Sequence, residues 1–317
     1  MTTLSTLPKV MKAAVVDMAG PPEAIHIKEV PVPPLPSNHV LIALEYVGVG
    51  IWDAEQRAGS WGSVKPGTIM GADGSGTIAA VGSHVTKFHV GDRVYSYSYG
   101  SGGFYAQYVS VLADRVAPVP AHLEMKIAGG MPCIALTAQS GLETLKVTRG
   151  QTLLVFGASG GVGSCAVWLG SGKGATVVGT ARPDAQEYVR LLGAAHTIDP
   201  KSAEREGVIK RAAKEGFDAA LVTANGDALA YFFSHLKPKA PIAFPNGVEP
   251  KPRFNGHPVS AFDGAMSHEA FEKLNAAIGT RTLPLKTHVF SFKDVAAAHH
   301  RVEEGHVVGK IVLHIDL

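Results

Sequence analysis

Cysteine and charge are both scarce in this sequence. Only two cysteines, Cys133 and Cys165, occur among its 317 residues. A disulfide framework and a cysteine-rich zinc site are therefore excluded. Charged residues make up 18% of the chain, and the formal net charge is +2. Without a basic excess or a block of like charge, the composition argues against a protein that binds nucleic acid.

The sequence also lacks membrane and secretion signals. No uncharged apolar run is long enough to cross a bilayer, and residues 1–10 have no continuous apolar core of the kind that marks a signal peptide. Hydrophobic residues nevertheless make up 46% of the chain, which excludes intrinsic disorder. The length favours two domains. We expect a soluble, cytoplasmic protein of two domains without membrane contact.

The pattern of apolar residues changes twice along the chain. Up to about residue 130, β-rich segments are interrupted by glycine and proline, which is typical of an antiparallel sandwich or barrel. Strands then alternate with helices, which predicts a parallel sheet with right-handed crossovers. The end of the chain returns to helices and a last strand. In the alternating part we predict a helix over 125–145 and strands at 152–156, 175–179, 196–198, 217–222 and 241–244.

The most informative motif is a glycine-rich turn, Ala158-x-Gly160-x-x-Gly163, between an apolar strand and an apolar helix. This is the context in which such a motif binds a dinucleotide. Gly160 would let the backbone approach a pyrophosphate, and Gly163 would let helix and strand pack closely. The free amides at the start of the helix would face the anion. The alternative is a tight turn that binds no ligand.

The end of the following strand indicates which dinucleotide binds. An NAD site usually has Asp or Glu there, to accept a hydrogen bond from the ribose 2′-hydroxyl. Here the segment 178–182 ends at Arg182 and contains no carboxylate. An arginine can pair with a 2′-phosphate, so the sequence favours NADPH. Asp184 fits the first turn of the next helix. The alternative for Arg182 is an ordinary solvated loop residue.

Taken in order, several segments resemble the medium-chain dehydrogenase/reductase superfamily, and most of all its zinc-free quinone oxidoreductase branch, which includes zeta-crystallin. The resemblance covers nearly the whole chain. It depends on the motifs Val47–Asp53 with Arg57 and Gly59, Gly71–Gly76, Val90–Val94, Leu136–Ala138, Gly157–Gly163, Leu192–Ala194 and Gly309–Leu313.

The resemblance implies an α/β fold with a Rossmann doubly wound parallel sheet and a GroES-like, β-rich catalytic domain. The catalytic domain would be formed by residues 1–130 and 263–317, and the NADPH-binding domain by residues 131–262. The cofactor would lie in the cleft between them. It also implies hydride transfer from NADPH and a homodimer joined through the nucleotide-binding domains.

Zinc ligands distinguish the branches of this superfamily. The alcohol dehydrogenases have a cysteine where this chain has the segment 50–53, and Gly-His-Glu where it has 71–73. Their structural zinc needs four clustered cysteines. We expect no metal site here, because Cys133 and Cys165 fall in helical segments unrelated to those positions. Without zinc, reduction of a quinone or an enone is favoured over alcohol oxidation.

The resemblance also implies cofactor contacts. Loop residues among them could instead be ordinary polar groups of turns. The pyrophosphate contacts would come from Ser159, Gly160, Gly161, Val162 and Gly163, and the adenosine-ribose contacts from Gly179, Thr180 and Arg182. Thr137 would lie near the nicotinamide, and Asn225, Pro245 and Asn246 would line the open side of the cofactor.

The substrate side is less defined. Trp52 and Phe104 are candidates for a flat wall, and Tyr97 belongs to a set of tyrosines near the cleft: Tyr95, Tyr97, Tyr99, Tyr105 and Tyr108. Those rings could polarise a carbonyl or simply pack. Asp53 and Arg57 could be catalytic, although an ion pair that fixes the loop is favoured. No residue is identified as the proton donor. Gly50 and Glu55 depart from the branch, which often has asparagine and tyrosine at those places.

These observations predict an NADPH-dependent, zinc-independent oxidoreductase that reduces quinones or α,β-unsaturated carbonyl compounds. One alternative is an enoyl-thioester reductase, which would need an open channel for its acyl carrier. Another is a redox sensor or nucleic-acid-binding protein that holds NADPH without turnover. The weak basicity of the chain, with a pI of about 8.4, argues against that second alternative.

Overall fold

The computed structural model describes residues 7–99, 103–252, 254 and 256–317. The first part of the chain is β-rich, as expected. Its described residues form one short α-helix, α1 (Ile51–Arg57), and the strands β1 (Val10–Val16), β2 (Ile25–Pro31), β3 (His39–Val49), β4 (Thr68–Ile69), β5 (Asp73–Val81), β6 (Arg93–Tyr97), β7 (Tyr108–Leu112) and β8 (Val116–Pro118).

The middle of the chain alternates helices and strands. The elements in order are α2 (Met125–Gly130), α3 (Pro132–Thr144), β9 (Thr152–Phe156), α4 (Gly161–Gly172), β10 (Thr176–Thr180), α5 (Gln186–Leu191), β11 (His196–Ile198), α6 (Arg205–Ala212), β12 (Ala219–Val222), α7 (Leu229–Phe233), β13 (Ile242–Pro245) and β14 (Val259–Phe262). The chain ends with α8 (His268–Thr280), β15 (Thr287–Ser291), α9 (Val295–Glu303) and β16 (Lys310–His314).

The alternating elements build a six-stranded parallel sheet. Its strand order is β11-β10-β9-β12-β13-β14, which is the order of a doubly wound dinucleotide-binding sheet. The central strand β9 is flanked by β10 and β12, and its residues 153–156 are buried. Such continuous apolar runs are expected where helices cover both faces of a parallel sheet.

The end of the chain returns to the β-rich part. Strand β16 pairs antiparallel with β3, so that Ile311 lies opposite Val49. Both strands belong to a seven-stranded sheet, and β1, β2 and β4 form a separate three-stranded one. The last residues therefore complete a sheet that the first residues began. Among the described residues, none of the helices combines the length and apolarity that spanning a bilayer requires.

The structure differs from the sequence expectations in four elements. The helix expected over 125–145 is two helices, because Pro132 begins a new one and cannot donate the amide hydrogen bond that a continuous helix needs. Helix α1 and strands β14 and β15 were not expected. All three are short, of seven, four and five residues, and too brief to give a clear apolar period.

Helix α8 connects the parallel sheet domain to the β-rich part. On one side the Gln139 side chain of α3 donates to the Ala270 carbonyl at 3.2 Å. On the other side the Tyr95 hydroxyl of β6 donates to Asn275 at 2.8 Å. Between them Phe271 is 1% exposed, and its ring centroid lies 5.7 Å from that of Tyr95.

We predict that Phe271→Ala lowers the free energy of unfolding by about 3–5 kcal/mol, as is usual for emptying a packed aromatic site. Lys273→Ala changes an exposed residue of the same helix and is expected to cost less than about 1 kcal/mol. Urea titrations of both variants measure the difference. Equal effects of the two substitutions would contradict the packing described for α8.

Candidate active site

The glycine-rich turn lies at the carboxyl end of β9, where it connects to α4. Gly157 has a φ of 86°, in the left-handed region that favours glycine. A Cβ atom at Gly163 would lie 2.1 Å from the Gly157 carbonyl oxygen. Glycine at 163 is therefore required for the close contact of helix and strand. The one neighbour of a Cβ at Gly160 would be that same oxygen, at 3.7 Å, so this side of the turn is open.

The start of α4 is suited to an anion. Gly160 caps the helix without any side-chain acceptor. The first amides of the helix, on Gly161, Val162 and Gly163, therefore keep their hydrogen-bonding capacity for a ligand. Their positive ends point out of the turn, as they do in pyrophosphate sites. The turn thus fits a dinucleotide diphosphate, as the sequence predicts.

Three neighbouring segments fix the shape of the turn. The Gly309 amide donates to the Ser159 carbonyl at 2.8 Å. The Thr180 hydroxyl accepts a hydrogen bond from the Gly157 amide at 2.9 Å. A Cβ atom at Gly179 would lie 2.8 Å from the Cβ of Ala158. Thr180, which the resemblance assigns to the adenosine ribose, thus bonds the backbone of the turn, and Gly179 leaves room for the Ala158 side chain.

Arg182 follows β10 directly and remains exposed. Its side chain is 49% exposed and pairs with Asp184 at 3.2 Å. An exposed pair of this kind contributes little to stability, so the guanidinium can exchange its partner at low cost. β10 ends at Thr180, and no carboxylate precedes Arg182 at its tip.

The other predicted cofactor loops lie at the same edge of the sheet, because the carboxyl ends of parallel strands meet there. Asn225 follows β12, and its amide donates to the Glu249 carbonyl at 2.9 Å. Pro245 is the buried last residue of β13. Asn246 comes next, is exposed, and donates to Asp263 at 2.9 Å. Both asparagines are thus engaged in fixing loops.

A buried group of charges lies where the β-rich part meets the start of α3. We call Asp53, Asp73 and Lys310 the charge cluster. Their exposures are 1%, 0% and 3%, and the charge of Lys310 acts on both carboxyls. The Gly50 amide donates to Asp53 at 2.8 Å, and the Cys133 amide donates to Asp73 at 2.9 Å. The Lys310 ammonium has no hydrogen-bond partner among the described residues.

Burial dominates the titration of both carboxyls. It raises the pKa of Asp53 to about 7 and that of Asp73 to about 6, against the opposing effect of the Lys310 charge. Two carboxylates facing one ammonium would leave a net negative charge in an apolar interior. One carboxyl of the pair therefore keeps its proton close to neutral pH.

The start of α3 brings two predicted residues to this cluster. The Thr137 hydroxyl donates to the Cys133 carbonyl at 2.7 Å, and Tyr97 of β6 belongs to the same buried core as Cys133. The expectation that Cys133 lies in an unrelated segment was wrong, since its amide bonds Asp73 of the segment 71–73. Only Cys165, buried in α4, lies elsewhere. Among the described residues, no three His, Cys, Asp or Glu side chains are grouped to hold a metal ion.

The two candidates for a flat wall have different surroundings. Trp52 is half-buried, and its ring centroid lies 4.3 Å from the Lys310 ammonium. Phe104 is 0% exposed and belongs to the core of the β-rich part, beside Gly74. In this structure Phe104 therefore offers no surface to a substrate, because the interior of that sheet encloses its ring.

The expected ion pair between Asp53 and Arg57 does not form. Asp53 turns back to the amide that begins its own helix and faces Lys310. Arg57 extends the other way, pairs with Glu303 of α9 and donates to the Gly20 carbonyl at 2.9 Å. Each charge therefore has a partner on another element, and α1 is fixed at both ends.

Sequence comparisons agree with this architecture. Residues 36–121 match the family described as the alcohol dehydrogenase GroES-like domain, and residues 192–313 match that described as zinc-binding dehydrogenase. The quinone oxidoreductase of Sus scrofa is 35% identical over 204 residues, which are 62% of this chain and 60% of that protein. The match thus spans less than two thirds of that relative.

Two further relatives are matched over more of their length. The putative quinone oxidoreductase YhfP of Bacillus subtilis is 31% identical over 68% of this chain and 67% of its own. An alcohol dehydrogenase superfamily protein of Novosphingobium aromaticivorans has a solved structure with 30% identity and a TM-score of 0.86, covering 96% of this chain and all of that one. The chain belongs to the medium-chain dehydrogenase/reductase superfamily. The predicted fold is thereby confirmed, with a Rossmann sheet and a GroES-like β-rich part.

Sequence reasoning did not assign three residues of this candidate site: Asp73, Cys133 and Lys310. One signal was available, since Lys310 is a charged residue at the head of an apolar strand that continues Ile-Val-Leu. A lysine at the start of a strand usually reaches solvent, which conceals its burial here. No comparable signal marks Cys133, because its neighbours are joined only by the tertiary fold.

We predict that two glycine substitutions in the turn separate folding from binding. Gly163→Ala forces a Cβ against a backbone oxygen and should lower stability by about 1–3 kcal/mol. Gly160→Ala should fold like the parent but bind NADPH less tightly, because its methyl group occupies the open side. Thermal melts and calorimetry measure the two effects. A Gly160→Ala protein with unchanged affinity would mean that the diphosphate does not lie there.

We also predict an unusual dependence of stability on pH. Because the pKa of Asp53 is raised in the folded state, the unfolded chain releases a proton that the native state holds between about pH 4 and pH 7. The free energy of unfolding should therefore fall as the pH rises through this range, by up to ~1.4 kcal/mol per pH unit for one proton. Asp73 adds to this effect at the lower end. Urea titrations at several pH values should show that the free energy of unfolding depends less on pH in Asp53→Asn than in the parent. The exposed control Asp184→Asn should keep the pH dependence of the parent.

Proposed function

We propose that this protein is an NADPH-dependent oxidoreductase that reduces quinones or α,β-unsaturated carbonyl compounds without a metal. The observation that carries the proposal is the glycine turn, with three free amides at the start of α4 and an exposed arginine, without a carboxylate, after β10. The first feature suits a diphosphate, and the second suits a 2′-phosphate. The printed names of two relatives, both quinone oxidoreductases, support the reaction class.

Different residues of this chain would hold different parts of the cofactor. The amides of α4 would bind the diphosphate, and Arg182 would pair with the 2′-phosphate in place of Asp184. Thr137 on α3 and Tyr97 at the end of β6 would flank the nicotinamide. When bound, NADPH supplies a hydride, which carries two electrons and one proton. A second proton, taken from solvent, completes the quinol or the saturated ketone.

The charge cluster gives this site an electrostatic character suited to reduction. Hydride addition to a quinone or an enone leaves negative charge on an oxygen, which nearby donors stabilise. A buried ammonium and a carboxyl that keeps its proton near neutral pH lie beside Cys133 and Thr137. We infer that metal is unnecessary for such a reaction, since no alcohol has to be ionised.

We further propose a homodimer joined through the Rossmann domains. Strand β14 forms one edge of the parallel sheet, and residues 259–261 on it are exposed. Unpaired edge strands are ready to pair with another chain. Sedimentation velocity should give twice the mass of 33.2 kDa, and a monomer for Val259→Lys, in which an edge charge opposes pairing.

We predict that Arg182→Glu weakens NADPH binding at least about tenfold, because it replaces a charge-assisted pair with repulsion. NADH binding should change much less. The control is Arg149→Glu, the same charge change at an exposed site before the amino end of β9, which should leave both affinities unaltered. Calorimetry measures the four dissociation constants. An unchanged preference for NADPH in Arg182→Glu would remove the basis for the cofactor assignment.

The reaction itself is tested by NADPH oxidation with a panel of acceptors. We expect turnover with 1,4-naphthoquinone or (E)-2-hexenal, and undiminished rates after dialysis against a metal chelator. Turnover confined to crotonyl-coenzyme A would favour an enoyl-thioester reductase. Stoichiometric NADPH binding without any turnover would favour a sensor.

A further inference from the structure

The position of the Lys310 ammonium needs a physical explanation. Its Nζ is buried and has no hydrogen-bond partner among the described residues, although two carboxyls act on it electrostatically. Burying an ammonium is costly unless other interactions compensate. One such interaction is visible, because Nζ lies 4.3 Å from the centroid of the Trp52 ring, within the range of a cation–π contact.

The sequence around Trp52 is built for this contact. A Cβ atom at Gly50 would lie 2.3 Å from Cε2 of the indole. Only glycine therefore lets the ring fold back over the start of α1 and reach Lys310. This gives a physical reason for Gly50, where the quinone oxidoreductase branch often has asparagine. Asp53 on the same helix faces the same ammonium. Helix α1 therefore carries both the indole ring and a carboxyl group that interact with Lys310.

The indole is also tied to the cofactor turn. Lys310 follows Gly309, whose amide bonds the Ser159 carbonyl at 2.8 Å. The ring packs against the core that contains Tyr97 and Cys133. Trp52 thus contacts both Lys310, which follows the residue that bonds the turn, and the core at the start of α3. Its side chain is half-buried there.

An exposed aromatic pair lies near Asp53 of the charge cluster. Trp61 and Tyr99 are 51% and 43% exposed, and their ring centroids are 6.0 Å apart in an edge contact. Tyr99 is within electrostatic range of Asp53 and Cys133. These two exposed rings add apolar surface near the helix that carries Trp52.

We propose that Trp52 is the stacking surface for a flat electron acceptor with fused rings, such as a naphthoquinone, and that Lys310 positions its indole. The inference deepens the proposed function and rests on it, because it names the substrate class of that site. A fused-ring quinone gains stacking energy on the indole face, whereas an aliphatic enal has no ring to stack. Lys310 contacts the indole and is therefore a positioning residue.

Substitutions of Trp52 provide the first test. Trp52→Leu should raise KM for 1,4-naphthoquinone about tenfold, which corresponds to losing one stacking contact and its buried area. Its KM for (E)-2-hexenal should change less than about threefold on the same grounds. Trp52→Phe keeps a flat ring and should retain most of the quinone affinity. A loss that is equal for both acceptors would overturn the proposal.

Substitutions of Lys310 test the positioning role. Lys310→Arg keeps the charge and the cation–π contact and should retain the preference for the quinone over the enal. Lys310→Met should lose that preference. The control is Arg281→Met, since Arg281 makes a similar contact with Trp168, at 5.2 Å, away from the site. It should lower stability without changing the preference, and the same result for Lys310→Met would contradict a positioning role.

Quinone binding without turnover separates this inference from the proposed function. The chain has three tryptophans, and a quinone stacked on Trp52 should quench its fluorescence. Titration with 1,4-naphthoquinone, without NADPH, should quench the tryptophan fluorescence of the parent protein. In Trp52→Phe, the part of this quenching that comes from Trp52 should be absent. Saturable Trp52 quenching in a protein that oxidises no NADPH would reject the reaction and keep the stacking site. Turnover with no Trp52 quenching would reject the stacking site and keep the reaction.

Discussion

The hydrogen bond from the Gly309 amide to the Ser159 carbonyl holds the site together. It joins the start of the last strand to the turn that suits the diphosphate. Gly309 has a φ of 84°, and a Cβ atom there would lie 2.1 Å from the Lys286 carbonyl oxygen, so no other residue fits without strain. Because Lys310 follows, this bond also determines where a buried ammonium enters the site. The glycine-rich turn and the charge cluster are therefore joined through the adjacent residues Gly309 and Lys310.

The charge cluster is tolerated because each carboxyl has a backbone partner. Asp53 accepts from the Gly50 amide and Asp73 from the Cys133 amide, which replaces part of the water lost on burial. The Lys310 ammonium opposes their repulsion but has no hydrogen bond among the described residues. Such an arrangement is strained electrostatically, and strained polar groups collect at functional sites. In this molecule they lie near Thr137 and Tyr97, which remain predicted cofactor and substrate residues.

Local sequence patterns predicted much of the fold and the glycine-rich turn of the candidate site. The strand 152–156 and the turn after it were predictable, because an apolar run, a group of glycines and an apolar helix follow one another along the chain. Helix α1 was not predictable from seven residues. The expected ion pair of Asp53 with Arg57, which was to fix a loop, does not form because both side chains have partners on other elements. Phe104 failed as a wall residue because burial cannot be read from residue type.

The sequence by itself determined the superfamily, the parallel sheet and the glycine-rich turn, since each depends on residues that are neighbours along the chain. Only the tertiary structure decided which distant residues meet: Lys310 under Trp52, Cys133 against Asp73, and Thr180 on the Gly157 amide. These contacts join residues 23 to 258 positions apart. The physical reason is that burial and charge interactions act through space, and their partners are chosen by the packing of whole sheets rather than by local sequence.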